Sequence, residues 1–471
     1  MNFLEKMEKY CLENKLFKPK EKILITISGG PDSTALLVSF KHLSAKYHLK
    51  LLAAHVNYQL RGKESQRDQE HCQKLCQKMG INFVQKKAPI KKKKGIENLA
   101  RKIRFNYFFQ IKKLYKIHRI ALGHNKNDQA ETLLFRLARG SAITGLRGIT
   151  PKNNSIIHPL LIFKRSEIVA FLKKQKITWV HDSSNERTDF TRNKIRHKIL
   201  PYFQNNINNR TIDHIYQSSL IFSETEEILK ITAQNKLNRL RKRKSDYVFS
   251  IEKLKKIKQI LRFYIYRKIF KDLSGNKKGF YFSNFKEIEQ IYDSLGSKKV
   301  FLPNNVLVLK KYNYIEFVKS SKLDKKIDKA KEITAKKTLV KFENYRIRLK
   351  RMQNSGHEFY KHKHPLTSYL DYDKIEFPIK VRHRLPGDKF KPLGMVNFKK
   401  LKDFFIDEKI SKFDRDKVLI FCDKRDRIIW IGGHRLDQRF AITKNTKKIL
   451  KIKLQEIPNG RFRSAERKKR G

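Results

Sequence analysis

Ile23, Leu24, Ile25 and Ile27 make a short β-branched run, too brief for a helix and suited to a strand buried on both faces. Ala35, Leu36, Leu37, Phe40 and Leu43 then recur at helical spacing, and Leu51 to Val56 is a second buried run. The alternation continues with a helix from Ser65 to Gly80, a strand over Ile81 to Val84, a helix from about Ile96 to Lys116 and a strand at residues 120–124, IALGH. An amphipathic helix within residues 1–20, with Phe3, Leu4, Met7, Cys11 and Leu12 on one face, precedes them. This order predicts an α/β domain with a doubly wound, mostly parallel sheet, placed at residues 1–210.

The pattern then changes twice. Residues 211 to 295 read as helical, and KKVFLPNNVLVLKKYNYIEFV, residues 298–318, as a β-hairpin around Pro303, Asn304 and Asn305, giving a mainly helical domain at 211–320. The Lys-rich, apolar-poor residues 321–338 predict a linker. A Pro-Gly turn, a short helix over 399–405 and strands around Val418 to Phe421 and Ile428 to Ile431 predict a small α+β domain at 339–454. Residues 455–471 read as a basic, disordered tail.

Charge adds a partner to this outline. Lys and Arg total 109 against 45 Asp and Glu, a formal net charge of +64, and the lysines run the whole length of the 471 residues. A surface so positive fits a polyanion that touches several domains, which points to nucleic acid. The four cysteines, Cys11, Cys72, Cys76 and Cys422, have no zinc or C-x-x-C spacing and read as buried free thiols in a reducing compartment. No 18-residue apolar run and no apolar signal core occur, so a soluble, cytoplasmic protein without a membrane association is expected.

Two stretches carry chemistry. After the first strand comes SGGPDS: Ser28, Gly29, Gly30, Pro31, Asp32 and Ser33. The glycines allow close backbone approach, Pro31 fits a first helical turn, and the free N–H groups there, with the helix dipole, make a phosphate cradle. No Lys follows, so this is not a Walker loop. Asp32 would repel a bare anion, so its expected task is to hold Mg2+ against the phosphates of a polyphosphate. In the second stretch Asp128 and Glu131 lie one turn apart on one helix face, able to hold a cation. Past them WVHDSSNERTDFTRNKIRHKILP, residues 179–201, reads as a functional loop entering a helix, with Arg192, Arg196 and Lys198 as candidate phosphate contacts.

SGGPDS resembles the PP-loop of the ATP pyrophosphatases. Together with HVNYQLRGKES at 55–65, GHNKNDQAET at 123–132, RGSAITGLRGI at 139–149 and residues 181–201, its order and spacing are similar to the bacterial tRNA(Ile)-lysidine synthetase family, and RLPGDKF and KKLKDFF resemble that family's C-terminal domain. Asn125 stands where the family often has a second His, and Tyr58 and Gln59 where it has His-Gly. The resemblance implies that ATP activates the wobble cytidine of a tRNA(Ile) with anticodon CAU by adenylation. Free L-lysine then replaces the activated oxygen at carbon 2. Ser28 to Ser33 would hold pyrophosphate, Asp128 and Glu131 the lysine, and Arg192 or Arg196 the charge on the phosphates. No obligate protein partner is implied. A PP-loop enzyme that delivers sulfur to tRNA, and a non-enzymatic RNA-binding protein, are the competing readings.

Overall fold

The computed structural model describes residues 1–60, 62–90, 95–180, 191–241, 247–275, 279–322, 330–354 and 364–457. The chain divides into two compact units, Met1–Lys230 and Ile231–Gly471.

In the first unit α1 (Phe3–Glu13) leads to β1 (Lys22–Thr26), α2 (Pro31–Tyr47), β2 (Lys50–Asn57), α3 (Lys63–Lys78), β3 (Asn82–Lys87), α4 (Ile96–Leu114), β4 (Arg119–Ala121) and α5 (Lys126–Ala138). There follow α6 (Ile143–Leu146), β5 (Lys152–Asn153), β6 (Ile156–Ile157), α7 (Arg165–Lys174), α8 (Thr191–Lys194), a π-helical turn (Ile195–Ile199), α9 (Leu200–Asn206) and α10 (Thr211–Leu240), whose residues from Ile231 on belong to the second unit. The sheet order is β3-β2-β1-β4-β6-β5, parallel except for the β5–β6 edge pair. The doubly wound α/β sheet expected from the alternation is the observed one.

Successive residues of β1 face opposite sides of the sheet. Ile23 and Ile25 join the core with α1, α2, α3 and α7, through Met7, Leu36, Phe40, Cys72 and Phe171. Leu24, with Leu52, Ala54 and Val56 of β2, packs instead on Tyr107, Phe108 and Ile111 of α4. The two faces together put the carboxyl ends of β1, β2 and β4 at one edge, where open α/β sheets bind ligands.

In the second unit α11 (Ile251–Lys255), α12 (Gln259–Ser274) and α13 (Phe282–Gln290) accompany a four-stranded sheet of β7 (Val248–Ser250), β8 (Ser297–Leu302), β9 (Val306–Lys311) and β10 (Tyr314–Lys319). The single hairpin expected at 298–318 is therefore a three-stranded meander. Asn304 and Asn305 turn its first corner at positive φ, as foreseen, while Tyr312, also at positive φ, turns a second. β7 interrupts the stretch read as helical and pairs with β10.

Two more antiparallel sheets follow. One has the order β11 (Lys331–Ile333), β15 (Ile379–Arg382), β18 (Ile420–Cys422), β19 (Ile428–Ile431). The other is β12 (Leu339–Phe342), β13 (Tyr345–Gln353), β20 (Lys448–Glu456), β14 (Thr367–Asp371). A short pair, β16 (Lys389–Phe390) and β17 (Lys399–Lys400), leads into α14 (Leu401–Asp407). β11 lies inside the segment read as a linker. Its Ile333 is fully buried among Val340, Ile379 and Val381, which ties that end of the segment into the core. Residues 323–329 of the expected linker and 458–471 of the expected tail lie outside the described residues. All four cysteines are buried and free. Among the described residues no helix is long and apolar enough to cross a membrane.

Candidate active site

The loop from Ser28 to Ser33 is held from inside by its own hydroxyls. Ser33 Oγ donates to Gly30 O at 3.0 Å and accepts from Ser28 N at 3.1 Å, and the two serine hydroxyls lie 3.2 Å apart. Gly29 sits at φ +89°, a conformation L side chains rarely adopt, and its carbonyl accepts from Val180 N at 2.9 Å. Gly30 is the N-cap of α2 and Pro31 occupies its first turn. The first-turn N–H groups have no intrahelical acceptor and lie at the positive end of the helix dipole.

The loop after β4 presses onto this cradle. A Cβ at Gly123 would come within 3.1 Å of the Asp32 carbonyl group and 3.2 Å of Ser33 N, so only glycine fits without displacing the cradle's backbone. Gly123→Ala is expected to raise the KM for ATP by about tenfold with the tRNA affinity unchanged, measured by AMP release and filter binding; an unaltered KM would show that the contact is soft.

Two residues beyond, Asn125 joins both carboxylates into one network. It caps α5, accepting from Asp128 N at 3.0 Å while its own N–H donates to Asp128 Oδ2 at 2.9 Å. Its side-chain amide donates to Asp32 Oδ1 at 3.0 Å. The second Asp32 oxygen pairs with Arg165, from the first turn of α7. Burial nevertheless pushes the Asp32 carboxyl up to about 6, against the pull of Arg165 and with Asp128 adding to the rise.

Glu131 is 1% exposed and receives two guanidinium groups. Arg196 Nε lies 2.6 Å from Oε1 with a second contact at 3.1 Å to Oε2, and Arg192 Nε lies 3.2 Å from Oε2. Arg192 also donates to Thr132 Oγ1 at 3.1 Å, and Arg196 reaches Asp128 Oδ1 at 3.3 Å. Burial raises the Glu131 carboxyl above its ordinary range, opposed first by the Arg196 hydrogen bonds. The two arginines stand four residues apart and so share one helix face, while the helix is π-wound from Ile195 on: Leu200 N bonds Ile195 O five residues back, next to Pro201, which has no N–H to continue an α-helical ladder.

The PP-loop, Asp128, Glu131, Arg192 and Arg196 are accordingly brought to one edge, while Lys198 is exposed on the π-wound turn; the connection the sequence did not predict is that Arg192 and Arg196 are bound to Glu131 and Asp128 rather than standing apart from them. Residues 181–190 of the expected functional loop lie outside the described residues. Asn125 and Arg165 were missed as site residues. Asn125 had a local signal, an N-cap Asn with Asp at N3. Arg165 had none, because its partner is 133 residues earlier in the chain. Tyr58 donates its hydroxyl to Ala100 O at 3.0 Å, tying the end of β2 to the start of α4.

A fit for Mg2+ rests on this donor set. Among the described residues no group of three or more His, Cys, Asp or Glu could form a protein cage. Mg2+ characteristically takes one or two carboxylates and completes its shell with phosphate oxygens and water. Asp32, a buried carboxylate in the first turn of α2 with Asp128 close enough to add to the rise in its pKa, fits such a role.

Residues 2–203 match the PP-loop domain family, and residues 379–454 match the TilS substrate C-terminal domain. The chain is 31% identical to the tRNA(Ile)-lysidine synthase of Caldanaerobacter subterraneus subsp. tengcongensis, over 95% of this chain and 96% of that protein. It is 33% identical to the protein of the same name from Clostridium tetani, over 96% of this chain and 97% of the relative, and 32% identical to that of Clostridium acetobutylicum, over 94% and 97%. With a PP-loop continuous with the Asp128 and Glu131 network, and similarity along nearly the whole length of these relatives, the chain belongs to the tRNA(Ile)-lysidine synthase family.

Proposed function

We propose that this protein joins L-lysine to carbon 2 of the wobble cytidine in a tRNA(Ile) with anticodon CAU, at the expense of ATP. The observation that carries the reading is the bridge through Asn125, which connects the phosphate cradle at Asp32 to the acidic pair on α5. In the first step the cytidine O2 attacks the α-phosphorus of ATP, and the bond to the β-phosphate oxygen breaks, releasing pyrophosphate. In the second, the ε-amine of lysine attacks carbon 2, the C–O bond breaks and AMP leaves with its electron pair, while the amine gives up a proton.

Each requirement has a candidate in the chain. The α2 N-terminus and the Ser28 and Ser33 hydroxyls hold the pyrophosphate. Asp32 is the carboxylate for Mg2+, which supplies charge neutralisation on the departing phosphates. Glu131, doubly bonded to arginines, fixes Arg192 and Arg196 where they offset phosphate charge. Asp128 holds the Asn125 N–H on Oδ2 and one long contact from Arg196 on Oδ1, and the second lone pair of each oxygen keeps capacity for the lysine ammonium group or the attacking amine. The domains read at 211–320 and 339–454 hold the body of the tRNA by their positive charge. Raising salt from 50 to 200 mM is expected to weaken tRNA binding by about 10³-fold or more, in filter binding; a flat response would remove the basic surface from the account.

Sulfur delivery is the weaker reading. Burial pushes the thiols of Cys76 and Cys422 up to about 12 and raises Cys11 and Cys72 as well, so none is a ready thiolate. The test is AMP release: it should require both the CAU tRNA and lysine, and release equally fast without tRNA would refute the proposal.

A further inference from the structure

Arg104 lies where a charged side chain is not expected. On α4 it precedes Tyr107 and Phe108 by one turn, and those residues are the helix's sheet-facing core. Its Nε is buried and makes no hydrogen bond among the described residues. A guanidinium has donors only, so the missing partner is an acceptor, and a buried donor without one costs about 1–3 kcal/mol. The Phe105 ring lies 6.0 Å from the guanidinium carbon, at the outer limit of a useful cation–π contact.

A second orphan faces the same edge. His124 lies three residues past the end of β4, its ring 4.9 Å from that of His158, and its Nδ1 is buried with no partner among the described residues. His158 is accounted for, since its Nδ1 donates to Thr150 O at 2.8 Å. Burial raises the Tyr58 hydroxyl and lowers the His124 imidazole, and the charge of Arg104 opposes the first and adds to the second, which places it within electrostatic reach of the ends of β2 and β4. His124 is itself pushed down to about 3, chiefly by burial, and is a neutral hydrogen-bonding group at any working pH. The groups facing it are Asp128, His158, Arg192 and Arg104.

We propose that Arg104 binds a phosphate oxygen of the RNA strand at the nucleotide being modified, with His124 Nδ1 as a second contact to that nucleotide. The inference rests on the tRNA-lysine ligation proposed above. A planar fork of N–H donors suits a phosphate oxyanion. The RNA is favoured over ATP because Arg104 comes from the face of Leu24 and α4, whereas the PP-loop helix packs on the opposite face, against Ile23 and Ile25.

The full-length chain with Arg104→Gln separates the two phosphate sources. Expected are a rise of about tenfold in Kd and KM for tRNA, a KM for ATP within about twofold of wild type, and a log–log salt slope of tRNA binding shallower by about 0.7. Arg104→Lys should recover most of the slope but not the affinity, because it keeps the charge and loses the fork. Unchanged tRNA affinity and slope would overturn the proposal, and so would a raised KM for ATP with tRNA binding intact, which would assign the group to ATP. If Arg104→Gln melts early, Arg104→Lys decides: weakened tRNA binding at the wild-type melting temperature supports the proposal, and full affinity overturns it. Wild-type protein inactive with tRNA and lysine would instead refute the parent reading, while the binding and salt data would still report on Arg104.

Discussion

Asp32→Ala is expected to lower kcat/KM for ATP-dependent activation by about 10³-fold or more while changing tRNA affinity less than about twofold. The carboxylate stands at the first turn of α2, between the Asn125 amide and Arg165, at the point where polyphosphate charge has to be balanced. Removing it takes away the hard oxygen ligand for Mg2+ and releases Arg165, so the phosphates lose orientation and charge compensation together. Nothing in its contacts reaches toward an RNA surface, so binding is spared. AMP release and filter binding measure the two quantities, and a parallel loss of tRNA binding would make Asp32 a structural residue instead.

Glu131→Ala carries the other large effect, on stability as well as activity. The side chain is 1% exposed and takes three guanidinium hydrogen bonds, whereas Arg192 and Arg196 are about a third exposed. Deleting a buried partner leaves its counter-charges uncompensated, a loss of about 3–5 kcal/mol for fully buried pairs; exposure of the arginines reduces this to about 2 kcal/mol. For a unit of this size that corresponds to a melting midpoint lower by roughly 4–8 °C, with lysine transfer abolished because the arginines and the π-wound turn lose their anchor. Calorimetry and a transfer assay check both halves. An unchanged midpoint would show that Arg192 and Arg196 are held by something other than Glu131.

What the sequence made legible follows from how local each signal is. The strand Ile23 to Ile27, its glycine turn and its helix are contiguous, so both the element and its chemistry could be read directly. The pairing of Asp128 and Glu131 was equally local, one helical turn. Arg165 and the Asn125 contact to Asp32 were not, since each is made across about a hundred residues by the closing of the sheet. The C-terminal sheet shows a different failure. YRIRLKRMQ and KILKIKLQE alternate apolar with basic residues and pair strand to strand, yet they lie about a hundred residues apart and their lysines read first as a polyanion-binding surface. Lys331 to Ile333 was hidden the same way, a three-residue edge strand inside a charge-rich stretch, recognisable only from the buried Ile333.

The most direct test of the account is transfer of labelled lysine to a tRNA(Ile) transcript with anticodon CAU, in the presence of ATP, beside a transcript whose wobble base is uridine. The account predicts label in the cytidine transcript alone, with AMP released in equal amount. Label in both transcripts, or ATP consumed with no lysine transferred, would contradict it.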